Sequence, residues 1–399
     1  MHLLHMSRSP GTKGTIKKEA EDFIVKEITS KGFVLEKDTR YKAQDIGEEE
    51  SSASRFTVFV LQKRGWNTIQ ALAAIAKKVS RGKKSISYAG VKDRRAITVQ
   101  LASIYGASPE AVANVHIKDI SINGAWPGGK VELGSNIGNS FEVKIADCEN
   151  PENIGDVMEE LNGMMPNFFG EQRFGMRSNN HKIGMHLLRN ELEDAALEFL
   201  TSTENETEES AKEARKELKQ SMDFSRALGN FPKYLVPERL MLAHLANTKY
   251  DFAGALRKIP RGILIMFVHA AQAQIFNEEL ARRIKNSDFE SDLRCAENFY
   301  GFPDPDRVSR EGKYPLASII GYDSEHINEY EKALLEEMQI GKESFKIKSM
   351  PELSMKGTYR PLLVNFKKEQ HKIQGNNVLV RFELPSGSYA SVLLGEVIK

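Results

Sequence analysis

The segment from 85 to 100 (SISYAGVKDRRAITVQ) places the strongest constraint on how this chain can fold. Both of its ends alternate apolar and polar residues, which predicts a β-strand on either side of a short turn. The turn carries one carboxylate, Asp93, flanked by Lys92, Arg94 and Arg95. Two explanations stay open at this point. The charges could pair with one another in a solvated turn, or the cations could hold a polyanion on which the carboxylate performs chemistry.

Length and composition predict an ordinary globular protein with room for two domains. The chain has 399 residues, of which 40% are hydrophobic. No apolar run approaches the roughly 18 residues that a membrane helix needs, and the N-terminus lacks the apolar core of a secretory signal. Cys148 and Cys295 form no disulfide or zinc pattern. We therefore expect a cytoplasmic location and no membrane association.

Charge is distributed unevenly along the chain. The net charge of +1 argues against a uniformly basic nucleic-acid binder. Basic residues nevertheless cluster around the turn: Lys77, Lys78, Arg81, Lys83, Lys84, Lys92, Arg94 and Arg95. Such a cluster can form a basic face that binds phosphates with a strong salt dependence, although a merely solvated charge run is the alternative.

Periodicity predicts further elements along the chain. A buried strand over 56–61 places alternate side chains on its two faces, and Asn67 then caps a helix with Ile69 on its buried face. The remaining expectations are a strand pair from 130 to 146 that includes Val131 and Leu133, helices over 151–165, 201–220 and 267–284, an irregular stretch over 295–325, and a strand around 378–382.

These elements predict an α/β domain interrupted by a largely helical insertion. The sequence becomes strongly charged and helical in propensity from about residue 195, and the strand pattern returns near the C-terminus. The expected boundaries are 1–195 with 356–399 for the α/β domain, and 196–355 for the insertion.

Three further segments stand beside the turn as motifs. They are 17–27 (KKEAEDFIVKE), 167–175 (NFFGEQRFG) and 382–390 (FELPSGSYA). Together with 89–94 (AGVKDR), which lies between the first and the second of them, these segments resemble the four motifs of the TruD family of tRNA pseudouridine synthases in their order along the chain. The resemblance is to an archaeal-type member of this family. One such motif would be weak support, whereas four in order across the chain are specific.

The resemblance implies both a fold and a reaction. The fold is α/β (α+β), in which a pseudouridine synthase catalytic domain, with a mixed and largely antiparallel sheet flanked by helices, is interrupted by a TruD-type insertion domain. The reaction is the isomerisation of uridine to pseudouridine, at position 13 of tRNA. This isomerisation needs no redox change and no group donor, so we expect no cofactor and no metal, and no nucleotide-binding or metal-binding motif occurs in the sequence.

The resemblance also assigns roles to individual residues. Asp93 corresponds to the nucleophile, and Lys17 to the lysine that lies close to it. An exposed aspartate is already ionised at neutral pH and needs no partner base.

The target base must leave its stack to be modified. Aromatic side chains on the matched motifs can stack on the extruded base, and the candidates are Phe23, Phe169 and Tyr389. Asn167 can hydrogen-bond the base or the backbone. The expected RNA contacts are Lys83, Lys84, Lys92, Arg94 and Arg173. The expected partner is tRNA, bound by a monomer that requires no protein partner.

Two other functions remain open on sequence grounds. A non-catalytic protein that binds structured RNA could use the same basic face. A hydrolase could use Asp93 on a glycosidic or phosphate bond, but glycosidases usually need a second carboxylate nearby, and the motif of Asp93 contains no other acid.

Overall fold

The computed structural model describes residues 4–289, 294–296 and 314–399. Within these ranges the strands are β1 Phe23–Ile28, β2 Phe56–Arg64, β3 Ile86–Tyr88, β4 Ile97–Tyr105, β5 Ile120–Gly128, β6 Gly138–Ile145, β7 Met164–Pro166, β8 Arg294–Ala296, β9 Tyr314–Ile319, β10 Thr358–Pro361, β11 Leu363–Asn365, β12 Lys367–Gln374 and β13 Asn377–Pro385. The helices are α1 Thr68–Lys78, α2 Pro109–Ala113, α3 Asn153–Leu161, α4 Asn180–Leu188, α5 Leu192–Thr201, α6 Glu209–Ser221, α7 Phe224–Asn230, α8 Val236–Asn247, α9 Phe252–Leu256, α10 Arg261–Asn286, α11 Glu329–Glu337 and α12 Ala390–Ile398. None of these helices combines the length and the apolar character that a bilayer crossing requires.

One compact unit comprises residues 5–166 and 363–399 and is built on an eight-stranded sheet. The strand order is β12-β13-β6-β1-β4-β2-β5, with β3 also paired to β4. Among the described strands of this sheet, β1 and β4 form the one parallel pair, and the other pairs are antiparallel. The sheet is therefore mixed and largely antiparallel, as predicted.

The two faces of this sheet bury separate cores. In β2, Phe59 and Leu61 pack with α1, whereas Val58 and Val60 pack on the opposite face with Trp126. This is the alternation expected from the sequence, because successive side chains of a strand point to opposite faces. Asn67 caps α1 as predicted, since its side chain accepts hydrogen bonds from the backbone amides of the first turn.

The edge of β4 opposite β2 is shared by two strands. Ile97–Val99 pairs with β1, and Ala102–Ile104 pairs with β3. Between these two pairings, the backbone nitrogen of Leu101 in β4 is bound by a side chain instead. Glu27, near the end of β1, accepts a hydrogen bond from this nitrogen at 3.0 Å. Because β3 pairs antiparallel with β4, the turn over 89–96 that connects them lies at this edge of β4.

The other compact unit comprises residues 167–289, 294–296 and 314–362 and is mainly helical. Its core surrounds the long helix α10, which packs against α4 and α11. The helix predicted over 267–284 is confirmed as part of α10, with Val268, Ala271, Ile275 and Leu280 buried. A small antiparallel sheet, in the order β10-β9-β8, completes the unit.

Several expectations about elements are wrong. The strand expected at Val131 and Leu133 does not form, and the Leu133 side chain is 79% exposed. Ile69 is 54% exposed and does not face the core. The stretch expected to be irregular contains β9, because Tyr314–Ile319 pairs with β8 and β10 on either side. Its part from 297 to 313 lies outside the described residues.

The compact units change at 166/167 and 362/363, not at the 195/196 and 355/356 boundaries expected from sequence. The reason is that α4 packs on α10 and α5 packs on α4, so both belong to the helical core. The change in charge near residue 195 reflects the more polar exposed faces of the helices that follow, which pack on the same core. The designation of the helical unit as an insertion domain stays a prediction.

Candidate active site

The turn that carries Asp93 is held by hydrogen bonds from several elements. Gln100 of β4 donates from Nε2 to the Gly90 oxygen at 3.0 Å. Thr68, the first residue of α1, accepts from the Lys92 backbone nitrogen at 3.0 Å and donates to the Lys92 oxygen at 3.2 Å. Both side chains are fully buried, so they hold the turn in a fixed conformation rather than merely touching it.

Lys92 is buried and supports the turn, and its contact with RNA stays a prediction. Its side chain is 5% exposed, and its Nζ lies 2.9 Å from Glu27 Oε2 and donates to Asn139 Oδ1 at 2.6 Å. A buried cation needs such partners, and here they tie the turn to β1 and β6. The charge of Lys92 is evident from its residue type, but the burial of its side chain depends on the fold.

Asp93 and Lys17 meet as predicted. Lys17 Nζ lies 3.2 Å from Asp93 Oδ1, and the two side chains are 27% and 22% exposed. A carboxylate in this position is fixed by a cation yet partly accessible from solvent. The pair therefore joins two sequence motifs, 17–27 and 89–94, that lie far apart along the chain.

Phe23 packs in the core of the sheet unit, and its role in stacking on the base stays a prediction. The residue is 2% exposed and packs edge-on against Phe141. The Lys17 ammonium nitrogen lies 3.9 Å from the centre of the Phe23 ring, a cation–π contact. Phe23 thus positions the lysine that holds Asp93.

Lys63 is a site residue that the sequence analysis missed. It lies near the end of β2, is 1% exposed, and donates from Nζ to the backbone oxygen of Asp93 at 2.7 Å. Burial lowers the pKa of Lys63 to about 8, although the nearby Asp93 charge acts to raise it. No pattern in the sequence separates Lys63 from an exposed lysine at a strand end, because its contact depends on how β2 and β4 pair.

In the helical unit, Asn167 makes structural hydrogen bonds. Its Nδ2 donates to the Pro361 oxygen at 2.9 Å, and its Oδ1 accepts from Arg360 Nη2 at 2.5 Å. The residue is 3% exposed. Both ends of the amide are engaged and buried, so Asn167 fixes this segment. Its predicted hydrogen bond to the base or the nucleotide backbone stays a prediction.

Phe169 lies beside two guanidinium groups in the same unit. Arg360 Cζ is 4.2 Å and Arg173 Cζ is 5.2 Å from the centre of its ring. Asn277 of α10 fixes its backbone, accepting from the Phe169 nitrogen at 2.8 Å and donating to the Phe169 oxygen at 2.9 Å. Rings and guanidinium planes are both surfaces on which bases stack, so this cluster has the chemistry of a nucleotide contact. Arg360 was not predicted.

The other predicted contacts are at or near the surface of the sheet unit. Lys83 and Lys84 are exposed on a short 3₁₀ turn before β3, and Arg94 is exposed beside Asp93. Tyr389 is half-buried immediately before α12. The structure thus groups Asp93, Lys17 and Phe23, adds Lys63 to them, and places Asn167, Phe169 and Arg173 in a cluster within the helical unit.

A possible metal-ligand set occurs elsewhere among the described residues. His186, Glu191 and Asp194 each bring one ligand atom within 4.8 Å of the others. His186 Nδ1 lies 2.7 Å from Glu191 Oε2, so pairing between the imidazole and the carboxylate accounts for the cluster.

The comparisons with known proteins agree with this geometry. The sequence model of the family described as tRNA pseudouridine synthase D (TruD) matches residues 2–397. The chain belongs to the TruD family. Its TruD relatives include a probable tRNA pseudouridine synthase D from Methanococcoides burtonii, 32% identical over 99% of this chain and 95% of that protein. Another, from Pyrococcus abyssi, is 32% identical over 100% of this chain and 99% of that protein.

A solved TruD structure has the same fold. The crystal structure of the putative tRNA pseudouridine synthase D from Methanosarcina mazei superposes with a TM-score of 0.77, at 31% identity, and covers 99% of this chain and 95% of that one. The predicted family, its archaeal type and the predicted fold class are therefore confirmed.

Proposed function

We propose that this chain is a tRNA pseudouridine synthase, an isomerase that converts uridine to pseudouridine within tRNA. The observation that carries the proposal is the Lys17–Asp93 pair, because it places one partly exposed carboxylate, fixed by a cation, on a rigid turn of a TruD-family fold. Its relatives are named as tRNA pseudouridine synthases D, which supports the reaction and the substrate.

Asp93 serves as the nucleophile in this proposal. Its carboxylate adds to the target nucleotide, the bond between N1 and the sugar C1′ breaks, and the base turns so that C5 faces C1′. The C5–C1′ bond then forms, the C5 proton leaves to solvent, and the carboxylate is released unchanged. Whether the attack is on the base or on the sugar, the Asp93 carboxylate is the nucleophile.

Lys17 holds the carboxylate in position. Its ammonium lies 3.2 Å from Oδ1 and fixes this oxygen, while Phe23 holds the ammonium through its ring. Preorganised charge of this kind is effective because no rearrangement is needed when the substrate arrives.

The nucleotide contacts come from exposed cations and from aromatic side chains. Lys83, Lys84 and Arg94 contact phosphates. Phe169, with Arg173 beside its ring, and Tyr389 supply stacking surfaces that offset the extrusion of the base, at about 1–3 kcal/mol per stacked base. The target is the uridine at position 13, and the enzyme acts as a monomer in the cytoplasm without a cofactor.

The test uses tRNA transcripts labelled with tritium at uridine C5. Isomerisation releases tritium to water without free uracil and without chain cleavage. A transcript with cytidine in place of uridine 13 is the matched control and should release none. Free uracil or shortened RNA would point to a hydrolase, and tight binding without release would point to a non-catalytic RNA-binding protein.

A further inference from the structure

Lys63 is a buried ammonium placed directly beneath the proposed nucleophile. The residue is 1% exposed, and its Nζ lies 2.7 Å from the backbone oxygen of Asp93. Among the described residues, this is the one hydrogen bond of the Lys63 side chain. The strands on either side of β2 place Thr98 and Ile120 opposite Lys63, and neither is charged.

The charged groups that act on Lys63 belong to the turn. Asp93 attracts its positive charge and Lys92 repels it. Lys92 is itself paired with Glu27, at 2.9 Å, and Lys17 binds Oδ1 of Asp93 at 3.2 Å. Lys63 therefore supplies a second cation to Asp93, and it does so from a buried position at the backbone oxygen of this residue.

A structural role alone does not account for a lysine at this position. A neutral donor such as glutamine can satisfy a carbonyl oxygen, and it does so without placing a charge in the core. Burial of the ammonium is unfavourable, which is why the pKa of Lys63 falls to about 8. A costly buried charge beside an active-site carboxylate indicates that the charge itself is used.

We propose that Lys63 is a positioning residue of the active site, which fixes the backbone of Asp93 and keeps its carboxylate ionised when a nucleotide covers it. The proposal rests on the proposed function, in which Asp93 is the nucleophile. A bound base removes water from the carboxylate and disfavours its charge, and a cation within the protein opposes this effect.

This role makes the reaction depend on the protonation of Lys63. Only the ammonium form carries the charge, and the neutral form becomes dominant as the pH rises above about 8. The turnover rate should therefore fall on the alkaline side of the pH profile. The affinity for tRNA should not fall with the protonation of Lys63, because the buried side chain does not reach the RNA.

The experiment measures tritium release at saturating tRNA from pH 6.5 to 9.5 for the wild type, Lys63→Met and Lys63→Arg. Lys63→Met should lower kcat by roughly 10²-fold at pH 7 with KM unchanged, and its alkaline limb should be absent. Lys63→Arg should keep more activity than Lys63→Met and also lack the limb, because a guanidinium stays charged throughout this range.

Lys26→Met is the matched control. Lys26 is another buried lysine of the same sheet, paired with Glu36 and Glu142 rather than with Asp93. Its replacement should leave the alkaline limb of the wild type in place.

The outcomes separate the two proposals. Absence of tritium release from the wild type contradicts the proposed function. An active wild type with an alkaline limb that persists in a folded Lys63→Met variant, as judged by a single cooperative unfolding transition, overturns the role of Lys63. The same conclusion follows if Lys63→Met alters KM and leaves kcat at the wild-type value.

Discussion

Lys17 adopts a left-handed backbone conformation, with a φ of +60°. This conformation costs a non-glycine residue about 1–2 kcal/mol, and it is retained here where the side chain meets Asp93 and Phe23. The strain is therefore stored at the residue that sets the position of the carboxylate.

We expect Lys17→Met to lower kcat by about 10²- to 10³-fold, because a preorganised charge at the reacting group is lost. The measurement is tritium release under single-turnover conditions. Lys18→Met is the control, since Lys18 pairs with the exposed Asp147 and should tolerate the change. Equal rates for Lys17→Met and the wild type would remove Lys17 from the catalytic site.

Lys63 should also reveal itself in the pH dependence of stability. Its pKa falls from 10.5 in the unfolded chain to about 8 in the folded protein. Between these values the unfolded state binds more protons, so the folded wild type gains stability as the pH rises through this window. Urea unfolding of the wild type and of Lys63→Met, at pH 7.5 and pH 10, should show the difference in unfolding free energy shifting in favour of the wild type.

Lys26 gives the opposite case in the same sheet. Burial acts to lower its pKa, but hydrogen bonds to Glu142 and Glu36 outweigh burial and raise it above 10.5. Its stabilising contribution is present below that value and is lost only at higher pH. The stability difference between the wild type and Lys26→Met should therefore stay constant from pH 7.5 to pH 10, and a parallel shift in both variants would show that Lys63 is not the group responsible.

At the scale of elements, the turn over 89–96 depends on β4 and α1. Gln100 donates to Gly90 and lies 3.4 Å from the hydroxyl of Thr68, so one buried amide joins the strand, the turn and the helix.

Gln100→Leu should lower the free energy of unfolding by about 1–3 kcal/mol, because buried polar groups lose their partner. It should also lower kcat at temperatures well below the unfolding midpoint, since the turn is freed. Gln62→Leu is a suitable control, because Gln62 on β2 bonds to Asp38 and Asn123, away from the turn. A Gln100→Leu variant with reduced stability but unchanged kcat would show that the turn needs no such anchor.

Local patterns predicted the elements whose own residues determine them. The alternation in β2 and the Asn67 cap of α1 are properties of neighbouring residues, and both are found. β5 was missed because it contains Gly124, Pro127 and Gly128, which are typical of loops. Pairing with β2, across a register irregularity, decides its conformation instead.

The candidate site divides in the same way. Asp93 and Lys17 could be found because they lie on motifs, and their contact follows from the parallel pairing of β1 with β4. Lys63 could not be found, since its contact with Asp93 depends on the register of β2 against β4. The burial of Lys92 could not be found either, because Lys92 and Arg94, on either side of Asp93, differ in exposure although both are basic.

For the whole molecule, a net charge of +1 conceals a local basic surface. Lys83 and Lys84 are exposed, whereas Lys92 is buried and paired. Only exposed cations release counterions from RNA on binding.

The double variant Lys83→Ala/Lys84→Ala should therefore weaken tRNA binding and reduce the slope of log Kd against log salt by about 1.4 to 1.8. Filter binding across a salt series measures this slope. Lys92→Met is the contrasting variant, because it should leave the slope unchanged while lowering kcat. The basic surface would have to lie elsewhere if the double variant kept the wild-type slope.

Asp93→Asn tests the account most directly, because it removes one charge from the proposed nucleophile and leaves its size unchanged. The measurement is tritium release from C5-labelled tRNA at saturating enzyme, with tRNA affinity determined in parallel by filter binding. We predict release slower by at least about 10³-fold with affinity retained within a few-fold. Release at the wild-type rate by a folded Asp93→Asn variant would contradict the assignment of this carboxylate as the nucleophile.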